Sequence, residues 1–532
     1  RFWAEDGTPQ GFGHELFADD LERIEDNMIR AIERVPAVGE AGIKRVINGP
    51  MIWSPDSNVL YGPHPDLQNY FCCNGIIPGF SQSGGMGLMA AQWIINGESD
   101  YDMFAWDVAR FGPWADAKFT KARVGDQYAK RFAIHFPNEE RAAGRPVRTR
   151  PAYEMQQKMG AVFGFNYGWE HAAWFAETPG TKDTNGFTRQ NWFEPVGREA
   201  RMLRNTAGII DISNFAKYLV KGAGAADWLN AVFANNMPKA VGRSCLTPLI
   251  GVNGGIAGDF TVTRLAEDEF MIIGGGAAER YHQRFWKEVP LPAGTTFESK
   301  TDAMCGFNVA GPQSRALIGR LTKADLSTEA FPFMRSQRIT VAGGEVVALR
   351  VSFTGDLGWE LHCEAADQVQ LYTALLGAGK ELGAGPVGSR ALMSLRIEKG
   401  YGSWSREYSP EYWPQEVGLD RLIKLEKDFL NKDSYLKVKD NAPRETLSLI
   451  EVEEVTNADA TGGEPIFLPD GTPVGRVTSG TYGYSVEKSL ALGYLKDVKP
   501  GTAVDVMLLG HPHRGVVLAE PPFDPAGTRL RA

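Results

Sequence analysis

The chain has 532 residues, too many for a single hydrophobic core, and this length predicts about three or four domains. Hydrophobic residues at 43% and charged residues at 23% place it among globular rather than disordered proteins. A formal net charge of −9 leaves no basic surplus to neutralise phosphates, which argues against nucleic acid as a standing partner.

In chain order, residues 16–34 predict a helix with Leu21, Ile24, Met28, Ile29 and Ile32 on one face. Residues 43–76 predict short strands broken by Gly-Pro and Ser-Pro-Asp turns. Residues 78–98 predict a glycine-rich loop that runs into an apolar helix ending near Gly97. The charged, aromatic-rich stretch 99–165 predicts a connecting subdomain. From residue 168 the character changes. The segments 217–222, 260–265, 269–276, 307–312 and 346–355 have the alternating or fully apolar patterns of strands. Among the interleaved helices, 225–236 places Trp228, Leu229, Val232 and Phe233 on one face. A charged linker at 439–446 precedes a hairpin signal at 467–480, and the strands that follow predict a small β-barrel. The fold class is α+β, multidomain.

Two stretches carry candidate chemistry. SQSGGMG (81–87), read as a loop before a helix, offers backbone N–H groups and a positive helix end to a phosphate or to the edge of a reduced flavin. Its candidate cofactor contacts are Ser83, Gly84, Gly85, Met86 and Gly87; a tight loop packing a helix on a sheet is the plainer reading. GVNGGIAGDFTVTR (251–264) holds one carboxylate, Asp259, between a glycine turn and an alternating apolar run. Taken alone, it reads as a turn former. The five cysteines (Cys72, Cys73, Cys245, Cys305, Cys363) and eight histidines show no metal-ligand spacing, so no metal site is predicted. The thiols read as reduced, in a cytoplasm-like compartment. No apolar run is long enough to span a membrane.

Read together, the motifs become specific. NGPMIWSPDSNVLYG, GFSQSGGMG and QWIINGE resemble the carboxy-terminal part of the flavin domain in the sarcosine and dimethylglycine dehydrogenase family, and YAKRFAIHFPNEERAAGRP and FGFNYGWEHAAWF resemble that family's middle domain. NGGIAGDFTVTRL, FNVAGPQSRAL, SFTGDLGWELH and SLRIEKGY are similar to its folate-binding aminomethyltransferase (T-protein) module, and SGTYGYSVEKSLALGYL to the terminal barrel. The resemblance implies four parts: a partial flavin amine-oxidase (DAO-like) domain at 1–110, a connecting domain at 111–167, a T-protein-like aminomethyltransferase domain at 168–435 and a C-terminal β-barrel at 436–532.

It also implies roles. Asp259 matches the catalytic carboxylate beside the folate ring, with glycines on its approach leaving room for a flat ring. Glu360 matches the residue that holds the amino-pyrimidine edge through two N–H donors. Phe353 stands where T-proteins have Tyr, and Leu392 where they have an Arg; Arg390 is near but out of register. Arg396 and Glu398 are read as structural pairs; Tyr408, Tyr412 and Trp413 read as packing, with pocket lining as the alternative. The implied cofactors are FAD and tetrahydrofolate, with FAD requiring an upstream GxGxxG segment outside this sequence. The implied activity is FAD-dependent demethylation of a small N-methylated amino acid, with the one-carbon unit passed to tetrahydrofolate. The electron acceptor is unassigned. The implied compartment is the bacterial cytoplasm or the mitochondrial matrix. The alternatives are a demethylase of another methylated solute (a betaine or a sulfonium compound) and a non-catalytic regulatory relative of the kind associated with pyruvate dehydrogenase phosphatase.

Overall fold

The computed structural model describes residues 11–77 and 79–532. Residues 1–10 and 78, which belong to the expected first domain and its glycine-rich segment, lie outside the described residues.

Two sheets form the body. In the first, five antiparallel strands lie in the order Thr296–Ser299, Ala216–Lys221, Glu269–Gly274, Ile256–Ala266, Ser244–Ile250. Helix Ala225–Val232 lays Trp228, Leu229 and Val232 on this sheet, and Phe233 follows them into a core with Tyr218, Phe260 and Phe270. The sequence period predicts this face because residues three and four apart share one side of a helix. The second sheet has six strands in the order Ser336–Val341, Gly344–Leu349, Gly358–Glu364, Met304–Ala310, Gly208–Asp211, Gly385–Val387. All its pairings are antiparallel except the last. Its outer face buries Phe307, Val309, Trp359 and Leu361 against Tyr372 and Leu375 of helix Gln368–Lys380. The hairpin signal of the last block closes into a barrel of six strands from Thr446–Val452 to His511–Val517.

Helix Ser389–Glu398 joins the body to the barrel. Ser394 Oγ donates to the Tyr482 carbonyl at 2.8 Å, and Arg396 Nη2 to Ser479 Oγ at 2.7 Å. Arg396 and Glu398 are both fully buried and make the structural pairs expected of them, Arg396 with Glu407 at 2.8 Å and Glu398 with Arg204 at 2.7 Å.

Two expectations about the amino-terminal part need correction. The helix spans Glu25–Arg34 rather than 16–34, with Leu21, Ile24, Ile29 and Ile32 exposed and Met28 half-buried. The segment 81–87 is not a loop: Ser83, Gly84, Gly85, Met86 and Gly87 lie inside the helix Gly79–Asn96. Packing overrides the glycine penalty there, because Met86 and Trp93 are buried against Tyr61, whose hydroxyl donates to the Met86 carbonyl. Gly97, at φ +86°, ends the helix by donating its N–H to the Trp93 carbonyl at 2.9 Å. A Cβ at Gly84 or Gly87 would meet nothing within 4 Å. Gly84→Ala and Gly87→Ala are therefore each expected to stabilise the chain by ~0.5–1 kcal/mol, read as a higher denaturation midpoint. A lower midpoint would restore the loop reading. Of the adjacent cysteines, Cys72 is buried and Cys73 exposed, and all five cysteines are free thiols.

Candidate active site

A cavity of about 1330 Å³ lies between the two sheets and reaches the connecting hairpin Ala161–Phe175 and the barrel. The first sheet supplies Asp259 and Thr261, the second Ile210, Asn308 and Glu360, and the segment after helix Ser389–Glu398 supplies Tyr401, Trp404 and Tyr408. The two expected carboxylates thus come from different sheets to one space.

Asp259 follows the turn at 251–255, closed by the Gly251 N–H on the Gly255 carbonyl at 2.9 Å. The glycines of this turn serve packing, not a ring. A Cβ at Gly254 (φ +81°) would stand 2.8 Å from the Ser434 carbonyl oxygen, and one at Gly255 would run into that of Pro410. Glycines that do stand on the cavity wall near Asp259 include Gly274, Gly275 and Gly276, at the end of the neighbouring strand. Asp259 pairs with Pro248 in the ladder and makes no ion pair among the described residues. Its side chain is half-buried and open to the cavity, and burial pushes its carboxyl up to about 6. Tyr408 lies near enough that burial first, then the charges of Asp259 and Glu407, raise its phenol and keep it protonated. Of the two readings the sequence leaves for Tyr408, both hold: it packs against the core of the first sheet and lines the cavity beside Asp259. Tyr412 and Trp413 do pack, Tyr412 stacking on Tyr494 at 3.5 Å and Trp413 under the Arg444 guanidinium at 4.1 Å.

Glu360 sits on strand Gly358–Glu364, where alternation sends Trp359 into the core and Glu360 to the cavity. His362, two residues on and so on the same face, hydrogen-bonds through Nε2 to Glu360 Oε2 at 3.2 Å. Burial lowers the His362 imidazole below its ordinary value, which makes it a neutral donor that fixes the carboxylate's orientation. Phe353 lines the same cavity with its ring stacked on Tyr401 at 5.9 Å. Leu392 and Arg390 also reach the wall, but both guanidinium ends of Arg390 are engaged by Asp183, at 2.9 and 2.8 Å.

Ser83, Gly84, Gly85, Met86 and Gly87 are not part of this cavity. Ser83 to Gly87 lie beyond the first turn of the helix Gly79–Asn96, so their N–H groups are taken up within it, and only the first turn, 79–82, leaves N–H groups without a partner inside the helix. Among the described residues no cluster of three or more His, Cys, Asp or Glu is arranged to hold a metal ion, and no helix is long and apolar enough to cross a membrane.

Comparison with known proteins agrees with this architecture. Residues 152–427 match the model for the GCVT N-terminal domain, 96–149 that for the FAD dependent oxidoreductase central domain, and 446–524 that for the glycine cleavage T-protein C-terminal barrel domain. Mitochondrial dimethylglycine dehydrogenase of Mus musculus is 36% identical over 99% of this chain and 62% of its own length. Mitochondrial sarcosine dehydrogenase of the same organism is 31% identical, over 100% of this chain and 63% of its own. The chain therefore spans about three-fifths of the length of the curated relatives it matches. The crystal structure of aminomethyltransferase T of the glycine cleavage system from Bartonella henselae superposes with a TM-score of 0.62 and 22% identity, covering 71% of this chain and 98% of that one, a likeness of fold. With the GCVT N-terminal domain matched over more than half its residues, in the order central domain, aminomethyltransferase body and barrel, the chain belongs to the aminomethyltransferase-type family that includes the dimethylglycine and sarcosine dehydrogenases.

Proposed function

We propose that this chain is the folate-handling part of an FAD-dependent N-demethylating dehydrogenase acting on a small N-methylated amino acid of the sarcosine or dimethylglycine type. The observation that carries the reading is Asp259, unpaired and open to a cavity that Glu360 enters from the opposite sheet. Glu360 grips the two N–H donors of the pterin's amino-pyrimidine edge, and the His362 hydrogen bond holds it in position. That grip sets the ring so that its N10 lies at Asp259. As N5 and N10 capture the one-carbon unit, N10 must lose a proton. A carboxylate poised near pH 6 accepts that proton and releases it to the departing amine. The Phe353–Tyr401 stack and Trp404 supply apolar wall for the flat ring. FAD belongs to this reading through the relatives' domain order. The compartment that follows from the relatives' names is mitochondrial in a eukaryote; in a bacterium it is the cytoplasm.

Calorimetric titration of the chain with tetrahydrofolate tests the reading. The wild type is expected to bind, and Glu360→Gln to bind roughly 10–100-fold more weakly, the range for hydrogen bonds lost from a charged partner. A folded chain that takes up no tetrahydrofolate would place it instead with a non-catalytic regulatory role. The substrate is read on the protein carrying its upstream segment: anaerobic bleaching of a flavin band by sarcosine or dimethylglycine, and not by betaine, is the expected outcome.

A further inference from the structure

Across the middle of the six-stranded sheet, three residues stand in one row. Asn308 is the register partner of Glu360 on one side and of Ile210 on the other. Directly opposed residues of antiparallel strands point to the same face with Cβ atoms about 4.5–5.5 Å apart. All three line the cavity.

Asn308 is the anomaly in that row. It is only 3% exposed, yet its hydrogen bonding is incomplete. Nδ2 faces the carbonyls of Val351 and Trp359 at the long distances of 3.4 and 3.5 Å, and Oδ1 has no partner at all. Turning the amide over does not help, because Oδ1 would then face two carbonyl oxygens. Asn308 thus lines the cavity with its acceptor unpartnered by the protein. Buried polar groups are almost always satisfied, and a position needed only for packing is better filled by an apolar side chain of the same shape.

We infer that Asn308 is a specificity-determining contact whose Oδ1 accepts a hydrogen bond from the exocyclic 2-amino group of the bound pterin, alongside Glu360. The inference rests on the folate reading above and deepens it. The pyrimidinone edge of a pterin presents three N–H donors, one on the ring and two on the amino group. A bidentate carboxylate faces two of them, and Glu360 Oε2 already receives His362. The third N–H points away from the carboxylate and needs an acceptor beside it, which the adjacent register position provides. Asn308 therefore distinguishes a 2-amino ring from one that lacks the group, a discrimination that Glu360 makes only in part.

The test is a ligand–residue cycle on the whole chain. Tetrahydrofolate and its analogue with methyl in place of the 2-amino group are titrated into wild type and Asn308→Leu. The leucine variant is expected to bind tetrahydrofolate roughly tenfold more weakly and the methyl analogue with unchanged affinity, as for loss of one buried hydrogen bond. Its ligand-free denaturation midpoint is expected to hold or rise, since an unsatisfied amide has been removed. Asn308→Ala, which makes no steric demand, gives the same comparison if leucine does not fit. Equal weakening of both ligands, or no weakening of tetrahydrofolate, overturns the assignment. A wild type that binds neither ligand overturns the folate reading, and the assignment with it.

Discussion

Asp259→Asn, in the protein carrying its upstream flavin segment, is expected to slow formation of 5,10-methylenetetrahydrofolate by ~10²–10⁴ while leaving the rate of flavin reduction unchanged. The division follows from position: Asp259 lies on the cavity between the two sheets and on no other described feature that could bear on the flavin. Stopped-flow bleaching of the flavin and product analysis read the two half-reactions separately. Equal losses in both would contradict the assignment. The pH dependence follows from the carboxyl's raised value. The wild-type transfer rate should fall as pH drops through about 6, because the proton acceptor is then lost, and the Asn variant should lack that limb. Stability moves the other way. A carboxyl raised from 3.8 to about 6 on folding favours the folded state while it is protonated, and that advantage is lost as pH rises through 6. The Asn variant never ionises. It should therefore match the wild type below about pH 4 and exceed it by on the order of 2 kcal/mol above pH 6, discounted for water in the cavity. A residue kept at a cost in stability and required for one half-reaction is what an acid–base site predicts.

How much of this was legible in the sequence depends on how local the cause was. Strands such as Glu269–Gly274 and Met304–Ala310 were readable because alternation and burial are properties of a few neighbouring residues. Asp259 and Glu360 were singled out through motif resemblance alone. The turn glycines were seen but misassigned. What requires Gly254 and Gly255 is the carbonyls of Ser434 and Pro410, 180 and 155 residues away in sequence, and no local pattern carries that. The helix over 81–87 was read as a loop because three glycines in seven residues oppose helix formation locally. The burial of Met86 against Tyr61 that outweighs them is a tertiary contact. Tyr408 is legible only as packing or pocket lining, because an aromatic in a loop gives no direction; the chain's return from helix Ser389–Glu398 makes it both. Asn308 drew no notice in sequence, since an orphaned acceptor exists only once the neighbouring strands are in register.

Removing Glu398 is expected to produce a large stability loss, ~3–5 kcal/mol for Glu398→Ala, the usual result of leaving one charge of a buried pair uncompensated. Arg204, 3% exposed, holds Glu398 Oε2 at 2.7 Å and Asp356 Oδ2 at 2.5 Å, while the Ser485 N–H donates to Glu398 Oε1 at 2.9 Å. Arg529 reaches Asp356 at 2.7 Å, and Phe523 lies under both guanidiniums, at 3.4 and 5.0 Å. One network thus ties helix Phe193–Asn205, helix Ser389–Glu398, the barrel and the last residues of the chain. Without Glu398 the arginine keeps one of two carboxylates in a place water does not reach, and the barrel loses its Ser485 anchor. Desolvation then outweighs what attraction remains. The companion variant separates charge from packing: Arg204→Met in the Glu398→Ala background should recover part of the loss, because it removes the stranded charge and fills its volume. Denaturant midpoints of the wild type, both single variants and the double variant give the coupling. A loss below about 1 kcal/mol for Glu398→Ala would mean that the pair behaves as a solvent-screened surface bridge, and that the barrel is held to the body by its apolar contacts alone.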